Sequence, residues 1–366
     1  MRSPLSLVLC ATVALAIGAA PVALQNPPPA GSTPPQGQQG QGGRQGGRGR
    51  GIAIQPGEEC PPGMVEIRAN TCLPPEFPPP SIVDYRPRST LVTAEHLVPK
   101  AKYPAVDIHG HGAGMLSSPD GLANLVRQLD AIGVGVFISA DTMQGERLTR
   151  ALEVVNASPY KDRIRILGGV PLQNVGPGWA EKVVAQLEAD VKAGIVGIGE
   201  ISKSFGLTIR KADGTRLAVD DPDLDPVWAA CARLNIPVFI HTAEPQEFFQ
   251  QPDMKNERWL ELALFRDRRN YAPDQVKFEQ LMTERDNLFR KHPKTRFIAA
   301  HFGWHANDLG RAAKMLDQFP NVTTEVGAIL YDLGRQPRAA REFFVKYQDR
   351  LLFGKDAYAA EEFPYY

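Results

Sequence analysis

A surplus of charge of either sign is missing from this chain. Its 366 residues carry 41 Lys and Arg against 41 Asp and Glu, a formal net charge of zero, so nothing in the overall balance demands nucleic acid or a membrane surface as partner. Cysteine is scarce, four in all, and no second Cys or His pair lies near Cys60 and Cys72 to complete a structural zinc site with them. The one long apolar run, Leu5 to Ala20, is shorter than the roughly 20 apolar residues of a comfortable membrane span. Together these shortages indicate neither a nucleic-acid partner nor a stable membrane span, and at this length one large domain plus appendages is the economical reading.

What is present begins with that run. Arg2 followed by an apolar stretch ending in small residues has the build of a secretory signal peptide, assigned to residues 1–24 with cleavage after Ala19 or Ala23; an uncleaved anchor is the alternative. The protein is therefore expected to be exported, to the periplasm or beyond. Residues 25–56 are Pro, Gly and Gln with Arg44, Arg48 and Arg50, too poor in apolar side chains to offset their ordering entropy. A disordered linker is expected; three arginines in a floppy tail give little specific affinity for anionic lipid or nucleic acid. Residues 57–104 read as an extension wrapped over the main domain. There Cys60 and Cys72, flanked by Pro61, Pro62, Pro74 and Pro75, can close a small loop in an oxidising compartment, worth about 3 kcal/mol by the loop-entropy estimate. Cys231, in an apolar helical stretch, is a buried core thiol.

From Ala105 onward short apolar runs alternate with segments of helical periodicity. The predicted strands are Ala105–His111, Val134–Ala140, Ile164–Val170, Val196–Ser202, Pro237–Thr242, Arg296–Gly303, Val322–Gly327 and Leu351–Asp356. Helices are predicted between them over Pro119–Ala131, Trp179–Ala193, Asp225–Leu234, Asn307–Gln318 and Pro337–Tyr347, the first with Ser118 as N-cap and Gly133 just past its end. Strands separated by helical crossovers pair in parallel. Eight such units predict a closed (β/α)8 TIM barrel over residues 105–366, with an open doubly wound sheet as the alternative.

In a barrel the C-terminal strand ends face a common cavity, and this is where the chemistry-bearing residues fall. In Val106-Asp107-Ile108-His109-Gly110-His111, alternation across the strand puts Asp107, His109 and His111 on one face. The fourth strand ends on Glu200, the fifth on His241, the sixth on His301 and the eighth on Asp356. One histidine closing an apolar strand is usually a satisfied core residue; several converging strand ends make a metal site the better reading.

Four motifs, Asp107-Ile108-His109-Gly110-His111, Phe239-Ile240-His241-Thr242, Ala300-His301-Phe302-Gly303 and Phe353-Gly354-Lys355-Asp356-Ala357, resemble in order and spacing those of the amidohydrolase superfamily. The nearest likeness is to its amidohydrolase-related (amidohydrolase 2) family of metal-dependent hydrolases and decarboxylases. The resemblance implies that His109, His111, His241 and Asp356 are metal ligands, and that His301 acts on substrate or completes a second site. Gly199-Glu200-Ile201 departs from the pattern and resembles the deoxyribonuclease-like branch, where the glutamate bridges two metals; Lys203 could instead pair with Glu200. One divalent ion, zinc first, is favoured, with Glu200 and His301 joining as ligands if there are two. A second departure is the short stretch after Asp356, from which a missing eighth helix, a truncated barrel with an open seam and a fragmentary sequence are expected.

Three imidazoles and one carboxylate leave an open position for water, whose pKa a bound divalent ion lowers towards about 7. Asp356 and His301 are the catalytic candidates, as proton carrier and as a group acting on the substrate carbonyl or carbon. The implied reaction is hydrolysis of an amide, ester or lactone. The alternative is zinc-dependent non-oxidative decarboxylation of an aromatic or unsaturated acid, for which Arg335 or Arg338 is a candidate to hold the carboxylate, although surface residues of the following helix are the favoured reading of both. The long connection from Ala243 to Thr295 has the length of a functional lid, whose Phe248, Phe249, Trp259, Phe265 and Tyr271 either cover an apolar substrate or simply pack helices; Trp304 and His305 stand where they could touch substrate, with capping of the next helix as the alternative for His305. Homo-oligomer formation is left open.

Overall fold

The computed structural model describes residues 51–74, 88, 90–92, 94, 101–253, 255–356, 363 and 366. The predicted leader, and the predicted linker as far as residue 50, lie outside them. Three short antiparallel strands, β1 (Ile52–Ala53), β2 (Val65–Arg68) and β3 (Thr71–Leu73), form a small sheet in the order β1-β3-β2. Cys60 and Cys72 are joined by a disulfide with their Cα atoms 5.7 Å apart. The sheet starts inside the stretch read as linker, because Ile52 and Ala53 pair with Cys72 and Thr71 and so have backbone partners that composition does not reveal.

Eight parallel strands follow: β4 (Ala105–Gly110), β5 (Val134–Met143), β6 (Ile164–Gly168), β7 (Gly197–Ile201), β8 (Val238–Ile240), β9 (Phe297–Ala299), β10 (Val322–Glu325) and β11 (Leu351–Leu352). They pair in sequence order, with the helices α1 (Pro119–Ile132), α2 (Gly145–Asn156), α3 (Trp179–Ala193), α4 (Asp225–Arg233), α5 (Trp259–Leu264), α6 (Phe278–Lys291), α7 (Leu309–Gln318), α8 (Leu330–Gly334) and α9 (Pro337–Lys346) between them. This is a nearly closed TIM barrel. The expected open seam is bridged: Ile108 N donates to Phe353 O (3.0 Å), Asp356 N to His109 O (2.9 Å) and Lys355 N to Asp107 Oδ1 (3.3 Å). Backbone just past β11 therefore bonds to β4 where the ladder itself does not.

Local sequence explains the crossovers. In α1, Leu122, Leu125, Val126 and Leu129 are buried at helical spacing, Ser118 Oγ accepts from Gly121 N at 3.1 Å, and Gly133 ends the helix at φ 79°. The buried faces of the helices meet the strands in one core, with Trp228, Phe137, Phe289 and Phe297 fully enclosed. The connection after β8 divides: α6 is an ordinary barrel helix with Leu281, Leu288 and Phe289 buried, so the lid is only the part before it. Among the described residues no helix is long and apolar enough to cross a membrane.

Candidate metal centre

The strand ends bring six predicted residues together. His109 leaves β4 fully buried and His111 follows it; Glu200 sits on β7, His241 and His301 follow β8 and β9, and Asp356 follows β11. His109, His111, Glu200 and Asp356 form one group of converging ligand atoms, and Glu200, His241 and His301 a second.

Spacing tests whether the first group suits a cation. Ligand atoms about 2.1 Å from a tetrahedral ion stand about 3.4 Å from one another. Here His109 Nε2 is 3.1 Å from Glu200 Oε2 and 3.5 Å from Asp356 Oδ1, while His111 Nε2 is 3.6 Å and 3.3 Å from the same two oxygens. His109 Nε2, which faces both carboxylates, is buried without a hydrogen bond, and an orphaned ring nitrogen at coordination spacing is what an ion would satisfy.

Charge points the same way. Burial disfavours a charged imidazole at His109, yet Glu200 and Glu325 beside it raise its pKa to about 10. At His111 burial is again outweighed, by Asp141, Asp356 and Glu200, and the pKa rises to about 12. Burial would raise the carboxylates, but His109 and His241 hold Glu200 well below the usual range, and His111 with His301 and His109 brings Asp356 down to about 2. Four carboxylates around four imidazoles leave a negative excess that attracts protons or a metal cation.

Glu200 is shared between the groups. Its Oε2 faces His109 and His111, whereas Oε1 is 2.6 Å from His241 Nδ1 and 3.1 Å from His301 Nε2. His241 thus stands with His301, their nitrogens 3.2 Å apart, rather than with His109 and His111. Lys203 lies by Glu244 at 3.7 Å, so the counter-charges of Glu200 are imidazoles. His301 Nδ1 is 2.9 Å from the Gly327 carbonyl; since a carbonyl only accepts, Nδ1 carries the proton and Nε2 keeps its lone pair for the cluster.

Two carboxylates absent from the sequence prediction support these rings. Glu325, fully buried at the end of β10, lies 3.2 Å from His109 Nδ1 and accepts from His301 N at 2.5 Å and from Gly327 N. A Cβ at Gly327 would come within 2.6 Å of its Oε2, and one at Gly354 within 2.7 Å of His109 Cβ, so glycine is needed at both. Asp141, at 3.4 Å from His111 Nδ1, accepts from Ser139 Oγ and from Ala113 N. Glu325 lies inside the predicted strand Val322–Gly327, and Asp141 directly follows the predicted strand Val134–Ala140. Asp107, predicted on the face of His109, is buried; burial raises its pKa to about 6, while its Oδ1 accepts from His109 N at 3.0 Å.

The turn carrying His301 is left-handed, with φ of 54°, 61°, 61° and 55° at His301, Phe302, Gly303 and Trp304. Each non-glycine there costs about 1–2 kcal/mol. The turn is held by Glu325 at one end, by buried Arg285, whose Nη1 donates to Gly303 O at 2.7 Å, and by Trp304 Nε1 donating to Ala243 O at 3.2 Å. His305 points away from the cluster, 3.1 Å from Arg285 Nη2; burial first, then Arg285 and Arg311, lower its pKa to about 2.

A cavity of about 620 Å³ opens over the cluster, and Phe248, Trp304 and Tyr331 contribute to its wall. Of the predicted lid aromatics Phe248 reaches it; Phe249 packs on Phe278 at 5.6 Å, and Trp259, Phe265 and Tyr271 are exposed. Arg335 pairs with Glu257 and Asp332 and, like Arg338, stands outside the cavity lining. The cations that do line it are Lys203 and the unpredicted Arg147, Arg258 and Arg268.

A family model described as Amidohydrolase matches residues 106–366. Among solved structures the chain is similar to a TIM-barrel protein from Bordetella bronchiseptica at 17% identity, covering 69% of this chain and 79% of that one with a TM-score of 0.42. It is similar to an amidohydrolase from Burkholderia multivorans with bound HEPES at 14% identity, with 71% and 88% covered and a TM-score of 0.40. It also resembles an IDCase from Metarhizium anisopliae in apo form at 18% identity, with 64% and 65% covered and a TM-score of 0.37. A comparison with curated protein sequences finds no match.

Proposed function

The chain belongs to the amidohydrolase family, and on that premise we propose that it is a metal-dependent hydrolase of an amide, ester or lactone in a small molecule, with zinc as the first candidate ion. The observation that carries this reading is the convergence of four imidazoles, Glu200 and Asp356 beneath one open cavity. His109, His111 and Asp356 would hold one ion, and His241 and His301 a second; one oxygen of Glu200 faces each group. A divalent ion so held acidifies a water molecule and polarises a carbonyl oxygen.

The chain's own groups supply the rest. Asp356 keeps its carboxylate ionised and one third exposed, placed to take a proton from water and return it to the leaving group. Glu325 and the Gly327 carbonyl fix the rings of His109 and His301, so their lone pairs need no reorganisation when a ligand arrives. Phe248 and Trp304 give part of the cavity wall an apolar surface.

Decarboxylation of an aromatic or unsaturated acid is the second reading. Arg147, Arg258 and Arg268 in the lining favour it, because a carboxylate leaving as carbon dioxide must first be held. Export to an oxidising compartment is also proposed, supported by the Cys60–Cys72 disulfide.

Zinc-loaded protein assayed against lactones, esters and amides, alongside carbon dioxide release from aromatic acids, tests the main reading. Hydrolysis that is lost in Asp356→Asn while the metal is retained supports it; carbon dioxide release without hydrolysis overturns it in favour of the second.

A further inference from the structure

The lid has two faces. Buried Asn256 ties it together, its Nδ2 donating to Glu247 O at 2.8 Å and to Gln251 O at 3.1 Å, and Asn270 N donates to Phe248 O at 2.8 Å. On one face Phe248, Arg258, Glu261 and Arg268 line the cavity over the histidine cluster. Against the other face lies the N-terminal extension. Glu59 accepts from Arg269 Nη1 at 2.9 Å and stands 3.4 Å from Arg266 Nη2, while Arg269 Nε donates to Leu262 O at 3.0 Å inside the lid. Gln251 Nε2 donates to Pro56 O at 3.3 Å and takes the space a Cβ at Gly57 would need, 0.9 Å from it. Cys60, Met64 and Val65 then face Pro252, Trp259 and Ala263 across a cleft of about 170 Å³.

We propose that the extension is a brace that holds the lid over the cavity, with Glu59 as its positioning residue and the Cys60–Cys72 disulfide as its fastening. The disulfide ties the loop carrying Glu59 to β3, the middle strand of the small sheet, so the carboxylate that grips Arg266 and Arg269 sits on a closed loop. Exposed ion pairs contribute little alone; here they set where the extension lands, and the cross-link sets how firmly it stays. Arg268 lies between the two gripped arginines in sequence, and Glu261 accepts from both Arg258 and Arg268, so a shift of the braced face carries the cavity wall with it. A dithiol that gives two electrons and two protons to the Cys60–Cys72 bond, and leaves as its own disulfide, opens the loop and slackens the lid. Only the consequence for substrate entry rests on the hydrolase reading.

Amide hydrogen exchange on the purified full chain tests the brace, with oxidised protein compared with protein reduced by dithiothreitol, both treated with the same alkylating agent. On reduction, exchange in peptides covering 246–253 and 255–270 is expected to quicken about tenfold. In Glu59→Ala it should quicken about two- to fivefold. Peptides of α6 should stay unchanged in both. Removal of zinc from loaded protein by a chromophoric chelator should quicken in step, with the equilibrium zinc affinity unchanged, because the brace touches no proposed ligand. Unchanged lid exchange on reduction overturns the proposal. So does an acceleration shared equally by α6, which would make the disulfide a general stabiliser, or a loss of zinc affinity, which would place its effect on the cluster. The exchange measurement needs neither zinc nor turnover, so a missing metal or an absent activity counts against the hydrolase reading alone.

Discussion

Glu200 Oε1 stands 2.6 Å from Nδ1 of His241, while the other oxygen of the same carboxylate faces His109 at 3.1 Å. Two-metal sites hold their ions about 3.5–4 Å apart, a separation one carboxylate can span. Zinc titration into metal-free protein is expected to give a stoichiometry near two, falling to one in Glu200→Gln. A wild-type value of one would return the site to a single ion.

His241→Ala and His301→Ala are expected to behave alike, each losing one ion and keeping the other, because the two rings meet at 3.2 Å. Metal analysis of both variants decides this. Full metal content with lost turnover in His301→Ala alone would instead make that imidazole a group acting on the substrate.

Glu325→Gln should weaken zinc binding about 10–100-fold, the usual effect of removing a carboxylate behind a ligating imidazole. Competition with a chromophoric chelator measures it. Unchanged affinity would show that His109 is oriented without Glu325.

Acid lability should trace partly to Glu284, which accepts from Arg216 and from Val219 N at 3.1 Å. Burial would raise its pKa, but these bonds hold it below the ordinary value. A folded-state pKa lower than the unfolded one gives stability that is present above the unfolded value and is lost as pH falls through the folded one. Glu284→Ala is expected to cost about 3 kcal/mol at pH 7, as for one partner removed from a buried pair, and less at pH 3. Urea denaturation at the two pH values checks this; an equal cost at both contradicts it.

Intact-mass analysis of protein recovered from the cell envelope is expected to show a chain starting at residue 20 or 24, with Cys60 and Cys72 oxidised. A retained leader or two free thiols would count against export.

Much of the barrel was legible because buried parallel strands read as short apolar runs, and the polar residue ending each run marks the cavity side. That rule finds Glu200, His241, His301 and Asp356. It applies equally to Glu325 after Val322-Thr323-Thr324, where two threonines dilute the apolar signal, and to Asp141 after Ile138-Ser139-Ala140. The grouping of His241 with His301 depends on which ring nitrogen faces inward, a rotamer property without a sequence signature. Arg147 and Arg268 escaped for another reason: whether a charged residue on a helix start or a lid faces the cavity is set by the path of the chain, not by its periodicity.

The seam between β4 and the backbone after β11 makes the site a record of completed folding. Asp107 and Lys355, whose contact closes it, are 248 residues apart in the chain, and the same crossing fixes Asp356 to His109. A contact so distant in sequence pays its loop-closure entropy late, so His109 and Asp356 come together only once the final strand has returned to the first, and the ligand set proposed for the first ion would be complete only then. Cobalt added during refolding should therefore develop its ligand-field absorbance in the slowest phase; absorbance appearing ahead of barrel closure would show that the histidines gather before the seam forms.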